Sequence, residues 1–335
     1  MQLKLKQSNF IEISSRGSSQ CLNPDNSLLI VGTREGILIK INLNTNSIER
    51  QELTDLGSIW FLVTLNSSEF YACGASGTIC LFSFDIILKS KLAVHTDEVN
   101  CIALSKNKNF LFSVSDDKKV IQWNLAQKSS ETIYEHNSSI YSVALCNNFK
   151  YVAFGCVDNE IIVYSLENRA IVKRINEIND RIWCLTFTPN NKFLISGDED
   201  QNITFFEYGT WNILMGIKGH NSRVRALDIS SDSRVLVTSS LDTTIKLWDL
   251  KDVKNGVVKE LLKLEGHSDW VKGSIFSNDN KKVYSIGDDC KVGVWTIENL
   301  ANECPRSSSE YNWLYIVGGF IICIGIIIAF KLKNS

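Results

Sequence analysis

Residues 219–249 read GHNSRVRALDISSDSRVLVTSSLDTTIKLWD, and this stretch decides how the rest of the chain is interpreted. It contains three short runs, VRALDIS, RVLVTSS and IKLWD, which are rich in β-branched and other apolar residues and are separated by Ser, Asp and Thr. Such runs are typical of half-buried strands joined by tight turns. The stretch therefore predicts one antiparallel unit with three clear strands and a weaker fourth.

The marker residues of this stretch recur along the chain. All four histidines occupy the same repeat position, with separations of 41, 84 and 47 residues: His95, His136, His220 and His267. An aromatic residue recurs in steps of 41, 42, 42 and 47: Trp123, Tyr164, Phe206, Trp248 and Trp295. An aspartate stands six residues before each of these: Asp117, Asp158, Asp200, Asp242 and Asp289. Self-similarity at about 40–45 residues with several short strands per unit indicates the blades of a propeller.

Two degenerate repeats precede these five. Counting back from Trp123 in steps of 41 gives Phe82 and Ile41, and six residues before them lie Ser76 and Glu35. The first two repeats thus keep the spacing but lack the polar marker residues. Seven units are predicted over residues 14–297.

The Gly-His opening and the Trp-Asp ending of residues 219–249 resemble the repeats of the WD-repeat family. The resemblance implies a hydrogen-bonded tetrad within a blade, made by the histidine, a strand hydroxyl, the turn aspartate and the tryptophan. In this chain the tetrads would be His95, Ser113, Asp117 and Trp123; His220, Thr238, Asp242 and Trp248; and His267, Ser285, Asp289 and Trp295. A buried imidazole and a buried indole N–H each need a partner, so this network is interpreted as structural.

The two ends of the repeat region predict how the ring closes. The seventh repeat stops after its third strand, KVGVWTI, at residues 291–297, whereas the first residues, MQLKLKQ, alternate polar and apolar as a half-exposed strand does. Pairing of the two would remove two exposed sheet edges. The expected fold over residues 1–297 is all-β, a seven-bladed WD-repeat β-propeller closed by its N-terminal strand.

Composition and motifs argue against several classes of function. The formal net charge of the 335 residues is −2, and no basic stripe suggests a nucleic-acid partner. The ten cysteines include no Cys-x-x-Cys pair, and no signal peptide is recognised, which favours reduced thiols in the cytosol. There is no Gly-rich phosphate loop and no Gly-x-Ser-x-Gly motif. The repeat already explains all four histidines. We therefore expect no enzymatic activity, no cofactor, no metal and no small-molecule substrate.

A second strong feature lies near the C-terminus. Residues 298–312 form a polar linker that contains Pro305, and residues 313–330, WLYIVGGFIICIGIIIAF, are uncharged. Eighteen residues give about 27 Å of helix, close to the ~30 Å hydrocarbon core of a bilayer. The sequence therefore predicts one C-terminal transmembrane helix, followed by a short basic tail at residues 331–335. Such a tail-anchored chain would place its propeller in the cytosol, on the endoplasmic reticulum or the mitochondrial outer membrane.

The functional interpretation from these features is a scaffold. A membrane-anchored propeller without catalytic motifs is expected to dock a protein or a peptide. The alternative is a membrane-bound guanine-nucleotide exchange factor for a small GTPase of vesicle budding, which this chain resembles in architecture alone. That factor carries an extended loop in its first blade, whereas the first repeat here has only the short turn around Arg34 to Gly36.

The repeat position also predicts where a partner binds. By resemblance, the residues that flank the aliphatic residue at the start of each inner strand surround the top opening of the propeller. Aromatic residues and arginines dominate the energetics of interfaces. The predicted partner-binding residues are Trp60, Tyr141, Arg181, Trp183, Arg223, Arg225, Trp270 and Lys272.

Overall fold

A computed structural model describes residues 1–178, 180–299, 314–317 and 320–323. Twenty-eight strands within residues 3–299 form seven sheets of four strands each. Each sheet is one blade of a closed ring, so the predicted all-β seven-bladed propeller is confirmed. Only one short helix, the 3-10 turn Val253–Asn255, occurs among the described residues.

The strands of blades 1 to 3 follow one another in chain order, from the innermost to the outermost strand. Blade 1 contains β2 (Gly17–Leu22), β3 (Leu28–Thr33), β4 (Ile37–Asn42) and β5 (Ser47–Leu53). Blade 2 contains β6 (Ile59–Thr64), β7 (Glu69–Gly74), β8 (Thr78–Ser83) and β9 (Leu88–Ala93). Blade 3 contains β10 (Val99–Leu104), β11 (Phe110–Ser115), β12 (Lys119–Asn124) and β13 (Ser129–Glu135).

Blades 4 to 6 repeat this order. Blade 4 contains β14 (Ile140–Leu145), β15 (Tyr151–Cys156), β16 (Ile161–Ser165) and β17 (Ala170–Ile175). Blade 5 contains β18 (Ile182–Phe187), β19 (Phe193–Asp198), β20 (Asn202–Glu207) and β21 (Ile213–Lys218). Blade 6 contains β22 (Val224–Ile229), β23 (Val235–Ser240), β24 (Ile245–Asp249) and β25 (Lys259–Leu264). The extra residues of the 47-residue step lie between β24 and β25, around the 3-10 turn.

Blade 7 is built from both ends of the propeller. Its strands are β26 (Val271–Phe276), β27 (Lys282–Gly287), β28 (Lys291–Asn299) and, outermost, β1 (Leu3–Glu12). The N-terminal strand therefore lies beside β28, where the sequence places it, and it extends five residues beyond the alternating run MQLKLKQ. The aromatic ring of Phe10 packs edge-on against those of His267 and Trp295, with centroids 5.3 Å apart in both pairs.

The hydrophobic core lies between the blades. Seven clusters of buried apolar side chains fill the seven contacts between neighbouring blades. The second strand of each blade is almost entirely buried, whereas the fourth is largely exposed. Each sheet thus carries apolar side chains on both of its faces, because each face packs against an adjacent blade.

The predicted transmembrane helix at residues 313–330 falls mostly outside the described residues. Within it, the structure has two short strands, β29 (Leu314–Val317) and β30 (Phe320–Cys323), which pair antiparallel. Two runs of β-branched and aromatic residues around Gly318-Gly319 are also the sequence pattern of a hairpin, which explains strands where a helix was expected. Among the described residues, no helix has the length and apolar character needed to cross a membrane.

Candidate functional site: the top ring

A β-bulge occurs at the same place in all seven blades. Near the start of each first strand, the pairing with the second strand skips one residue. The skipped residues are Ser18, Trp60, Asn100, Tyr141, Trp183, Arg225 and Lys272. A bulge re-aims a side chain away from the regular pleat. All seven line one cavity of about 130 Å³ that is bounded by the innermost strand of every blade. We call these seven residues the top ring.

Five of the eight predicted partner-binding residues belong to the top ring: Trp60, Tyr141, Trp183, Arg225 and Lys272. The other three, Arg181, Arg223 and Trp270, immediately precede a first strand and do not line the cavity. Trp270 is 45% exposed, and the ammonium of Lys272 lies 4.4 Å from the centroid of its ring. The structure therefore brings five of the predicted residues to one cavity and places the other three next to it in sequence, each just before a first strand.

Trp183 is the centre of an ordered group. The ring of Tyr141 stacks on it, with centroids 4.9 Å apart and an interplanar angle of 22°. The guanidinium of Arg223 lies 4.2 Å from its ring centroid. Glu199 accepts a hydrogen bond of 2.7 Å from the indole Nε1–H of Trp183 and also pairs with Arg223. A single carboxylate thus fixes both the indole and the cation that covers it. Glu199 carries no repeat signal in the sequence, because its role depends on a turn of the same blade folding back to the first strand.

Arg225 has no such carboxylate. Its guanidinium lies 5.6 Å from the ring centroid of Trp183. Within the described part of the chain it forms no ion pair and no hydrogen bond. Burial lowers the pKa of Arg225 below its ordinary value, and the neighbouring Arg223 and Arg34 lower it further. An arginine remains charged in proteins even so, so the top ring holds a positive charge that nearby side chains do not neutralise.

The other cation of the top ring is paired. Lys272 lies 3.4 Å from Asp288 Oδ2, and Arg34 lies 3.7 Å from the same oxygen. Burial and the charge of Arg34 lower the pKa of Lys272 to about 8, even though Asp288 acts in the opposite direction. Asp288 therefore forms ion pairs with two cations at the junction of blades 7 and 1.

Two further residues of the top ring, Trp60 and Asn100, donate hydrogen bonds to carboxylates. Trp60 donates its Nε1–H to Glu98 Oε2 at 2.7 Å, across the boundary between blades 2 and 3. Asn100 donates to Asp116 Oδ1 at 2.8 Å. These carboxylates orient the side chains that line the cavity, and Trp60 remains half-buried.

Three blades carry the four-residue networks that the family resemblance implies. In blades 3, 6 and 7, histidine Nδ1 contacts the aspartate and Nε2 contacts the hydroxyl, at distances of 2.7–3.0 Å. The tryptophan Nε1–H donates to the same hydroxyl at 2.8–2.9 Å. The structure thus brings together His95, Ser113, Asp117 and Trp123; His220, Thr238, Asp242 and Trp248; and His267, Ser285, Asp289 and Trp295.

The indole N–H of each network can only donate, so the hydroxyl oxygen accepts a hydrogen bond from it. In blades 3 and 7, burial lowers the pKa of His95 and of His267 and outweighs the attraction of the aspartates, which favours the neutral imidazole. A neutral ring that donates its Nδ1–H to the aspartate accepts the hydroxyl hydrogen at Nε2. The histidines act as structural links.

Blade 4 departs from this pattern. His136 Nε2 lies 2.9 Å from Asp158 Oδ2, and its Nδ1 lies 3.0 Å from the hydroxyl of Tyr134. Phe154 stands where blades 3, 6 and 7 have the hydroxyl residue, so the imidazole has a different partner. Candidate metal-ligand atoms of His136, Cys156 and Asp158 lie within 4.8 Å of one another. However, burial and the nearby carboxylates raise the pKa of the Cys156 thiol, and both ring nitrogens of His136 are already hydrogen-bonded.

Comparison with known families agrees with this geometry. The family "WD domain, G-beta repeat" matches residues 87–124, 127–165, 172–207, 211–249 and 258–296. These five matches cover more than half of the chain, which therefore belongs to the WD-repeat family. They contain the three inner strands of blades 3 to 7, and each begins at the outermost strand of the preceding blade. The rest of blades 1 and 2, which lack the polar marker residues, precedes the first match.

One similar protein is "Transcription factor unc-37" from Caenorhabditis elegans. It is 28% identical to this chain over 145 residues, which is 42% of this chain and 23% of the relative. The matched part thus spans less than a quarter of that protein.

Proposed function

We propose that this chain is a non-enzymatic scaffold that docks a protein or peptide on the top ring of its propeller. The observation that carries the proposal is the group around Trp183. An indole, a phenol ring and two guanidinium groups converge at the mouth of the cavity, and all four side chains belong to half-buried residues. Aromatic residues and arginines are the residue types that most often dominate binding energy, and membership in a family of interaction propellers supports the same conclusion.

The exchange-factor alternative gains no support from the first blade. Strand β3 ends at Thr33 and β4 begins at Ile37, so only three residues join them. An inserted loop of the kind that such a factor uses at the nucleotide site does not fit in this connection.

The double variant Trp183→Ala with Arg225→Ala is expected to abolish recovery of the partner, because it removes the centre of the binding group. The midpoint of thermal unfolding should stay nearly unchanged, since neither side chain belongs to a tetrad. Quantitative affinity purification of the tagged full chain, combined with thermal unfolding, measures both. Ile213→Ala with Lys218→Ala on the exposed strand β21 of blade 5, the blade of Trp183, is the control. Equal loss of partner and of stability in the ring variant would contradict the proposal.

We further propose that residues 313–330 hold the protein at a membrane, with the propeller in the cytosol. Support comes from the sequence: eighteen uncharged residues, Trp313 and Tyr315 at one end, and Lys331 and Lys333 beyond the other. The organelle would be the endoplasmic reticulum or the mitochondrial outer membrane.

The variant Ile322→Lys with Ile326→Lys tests the anchor. Each lysine near the middle of a spanning helix costs about 2.5–3.5 kcal/mol of insertion free energy, so the pair is expected to release the chain from membranes. Alkaline carbonate extraction of cell membranes measures the bound fraction. The control replaces the same two residues with leucine and should remain bound. Extraction of the wild-type chain by carbonate would rule out a spanning anchor.

A further inference from the structure

We infer that the ligand of the top ring inserts a carboxylate side chain, from glutamate or aspartate, against Arg225. This inference rests on the proposed function and specifies the chemistry of the docked partner. It depends on one unneutralised charge, on the shape of the cavity around it, and on the carboxylates that already surround the ring.

One of the cations around the cavity, Arg225, has no counter-charge in the part of the chain that the structure describes. Arg223 pairs with Glu199, whereas Arg34 and Lys272 share Asp288. No carboxylate among the described residues lies within ion-pair distance of Arg225. Removing a charge from water without a partner is costly, so a bound anion at this position recovers free energy that the free protein lacks. The preferred ligand is therefore an anion.

The anion is expected to carry a single charge. Four carboxylates, Glu98, Asp116, Glu199 and Asp288, each bond to a residue of the top ring. A phosphate group carries about −1.5 to −2 charges near neutral pH and usually needs several unpaired cations. Here the surrounding carboxylates would repel it, and only one guanidinium is free. A carboxylate matches both the charge and the planar fork of Arg225.

The cavity can accept the side chain that carries this group. Its volume of about 130 Å³ suits one inserted side chain and not a folded element. Two hydroxyls on its lining, Ser142 Oγ and Ser274 Oγ, have no hydrogen-bond partner within the described part of the protein, although both residues are almost fully buried. Buried polar atoms normally have partners, and these two hydroxyls and the side-chain oxygen of Gln20, which also lines the cavity, lack one in the described part of the protein. The stacked rings of Tyr141 and Trp183 offer a surface for the apolar residues that flank it.

Pools of synthetic peptides provide the test. All pools have random flanking sequence around a fixed central residue, which is Glu, Gln, phosphoserine or Lys. Binding of each pool to the full-length protein in mild detergent is measured by fluorescence anisotropy. The wild type is expected to prefer the Glu pool over the Gln pool about tenfold, the scale of a charge-assisted hydrogen bond in a partly desolvated site.

Variants of two arginines, one in the cavity and one away from it, locate the effect. Arg225→Gln is expected to reduce the Glu-over-Gln preference to about one. Arg234→Gln makes an equal charge change at an exposed position in the turn between β22 and β23, at the other end of β22 from Arg225, and should leave the preference intact. Arg225→Lys keeps the charge, and with it the fold, but loses the bidentate fork, so its preference should fall between those of the wild type and Arg225→Gln. An unchanged preference in both Arg225 variants would overturn the inference.

The outcomes separate the inference from the function on which it rests. Equal binding of all four pools by the wild type would overturn the inference and leave the docking function in place. A preference for the phosphoserine pool would overturn the assignment to a carboxylate. If no pool binds, the docking of peptides by the top ring is contradicted, and the inference with it.

Discussion

Deletion of residues 1–12 is expected to abolish the cooperative unfolding transition of the propeller. Strand β1 supplies the outermost strand of blade 7 and buries Leu3 and Ile11, while Phe10 packs against His267 and Trp295. Burial of one large apolar side chain contributes about 1.5–3 kcal/mol. The sum is a large share of the roughly 5–15 kcal/mol by which a typical domain is stable. The deletion also exposes the edge of β28 to unwanted pairing.

Tryptophan fluorescence during urea unfolding measures this effect, because the ring of Trp295 packs against Phe10 of the deleted strand. A synthetic peptide of residues 1–13, added in trans, should restore the transition in a concentration-dependent manner. The control Ser8→Ala with Asn9→Ala changes exposed residues of β1 and keeps the strand. A truncated protein that unfolds cooperatively at the wild-type midpoint would show that closure by β1 is dispensable.

Asp242→Ala is expected to lower the free energy of unfolding by about 1–3 kcal/mol, the cost of leaving buried polar groups without partners. Asp242 accepts hydrogen bonds from His220 Nδ1–H, from the backbone N–H of Asn221 and from Thr244. The matched control is Asp200→Ala in blade 5. Asp200 occupies the same turn position, but it is exposed and Ile178 stands in place of the histidine. The control should cost less than about 0.5 kcal/mol.

The pH dependence gives a second measure of the same network. Burial alone raises the pKa of Asp242, but hydrogen bonds from His220, Asn221 and Thr244 outweigh it and hold the pKa well below the ordinary value of 3.8. A depressed folded-state pKa adds stability that is present above the unfolded-state value and is lost as the pH falls through the folded one. The difference between Asp242→Ala and the wild type should thus be full near neutral pH and shrink in strong acid. Equal destabilisation by Asp242→Ala and Asp200→Ala near neutral pH would contradict the role of the tetrad.

The repeat spacing alone was enough to predict the number of blades, because each marker position recurs once per blade at a nearly fixed step. The ring position of Trp183 and Arg225 also followed from that step. The sequence could not show that a β-bulge turns these side chains into the cavity, since a bulge is a property of the pairing between two strands. It also could not show that Glu199 neutralises Arg223 and leaves Arg225 unpaired, because that difference depends on distances between blades.

The other departures have similar physical reasons. His136 keeps the repeat position, but it turns to Tyr134 because Phe154 removes the hydroxyl that the neighbouring blades provide. Residues 314–317 and 320–323 pair as strands although the length and apolar character of the segment predict a helix. A long run of Ile, Val, Phe and Tyr is compatible with both structures, and the surrounding medium decides between them.

The closure of blade 7 also sets the order in which the protein can be completed. Strand β1 is the first strand of the propeller to leave the ribosome, but its partner β28 is the last one to be made. Because translation adds about 5–20 residues per second, β1 remains unpaired for on the order of tens of seconds before β28 is synthesised. Blades 1 to 6 contain only consecutive strands and can form as they emerge. The ring itself closes only after translation has passed the seventh repeat, so a ribosome that stalls before β28 leaves an open arc with two unpaired ends.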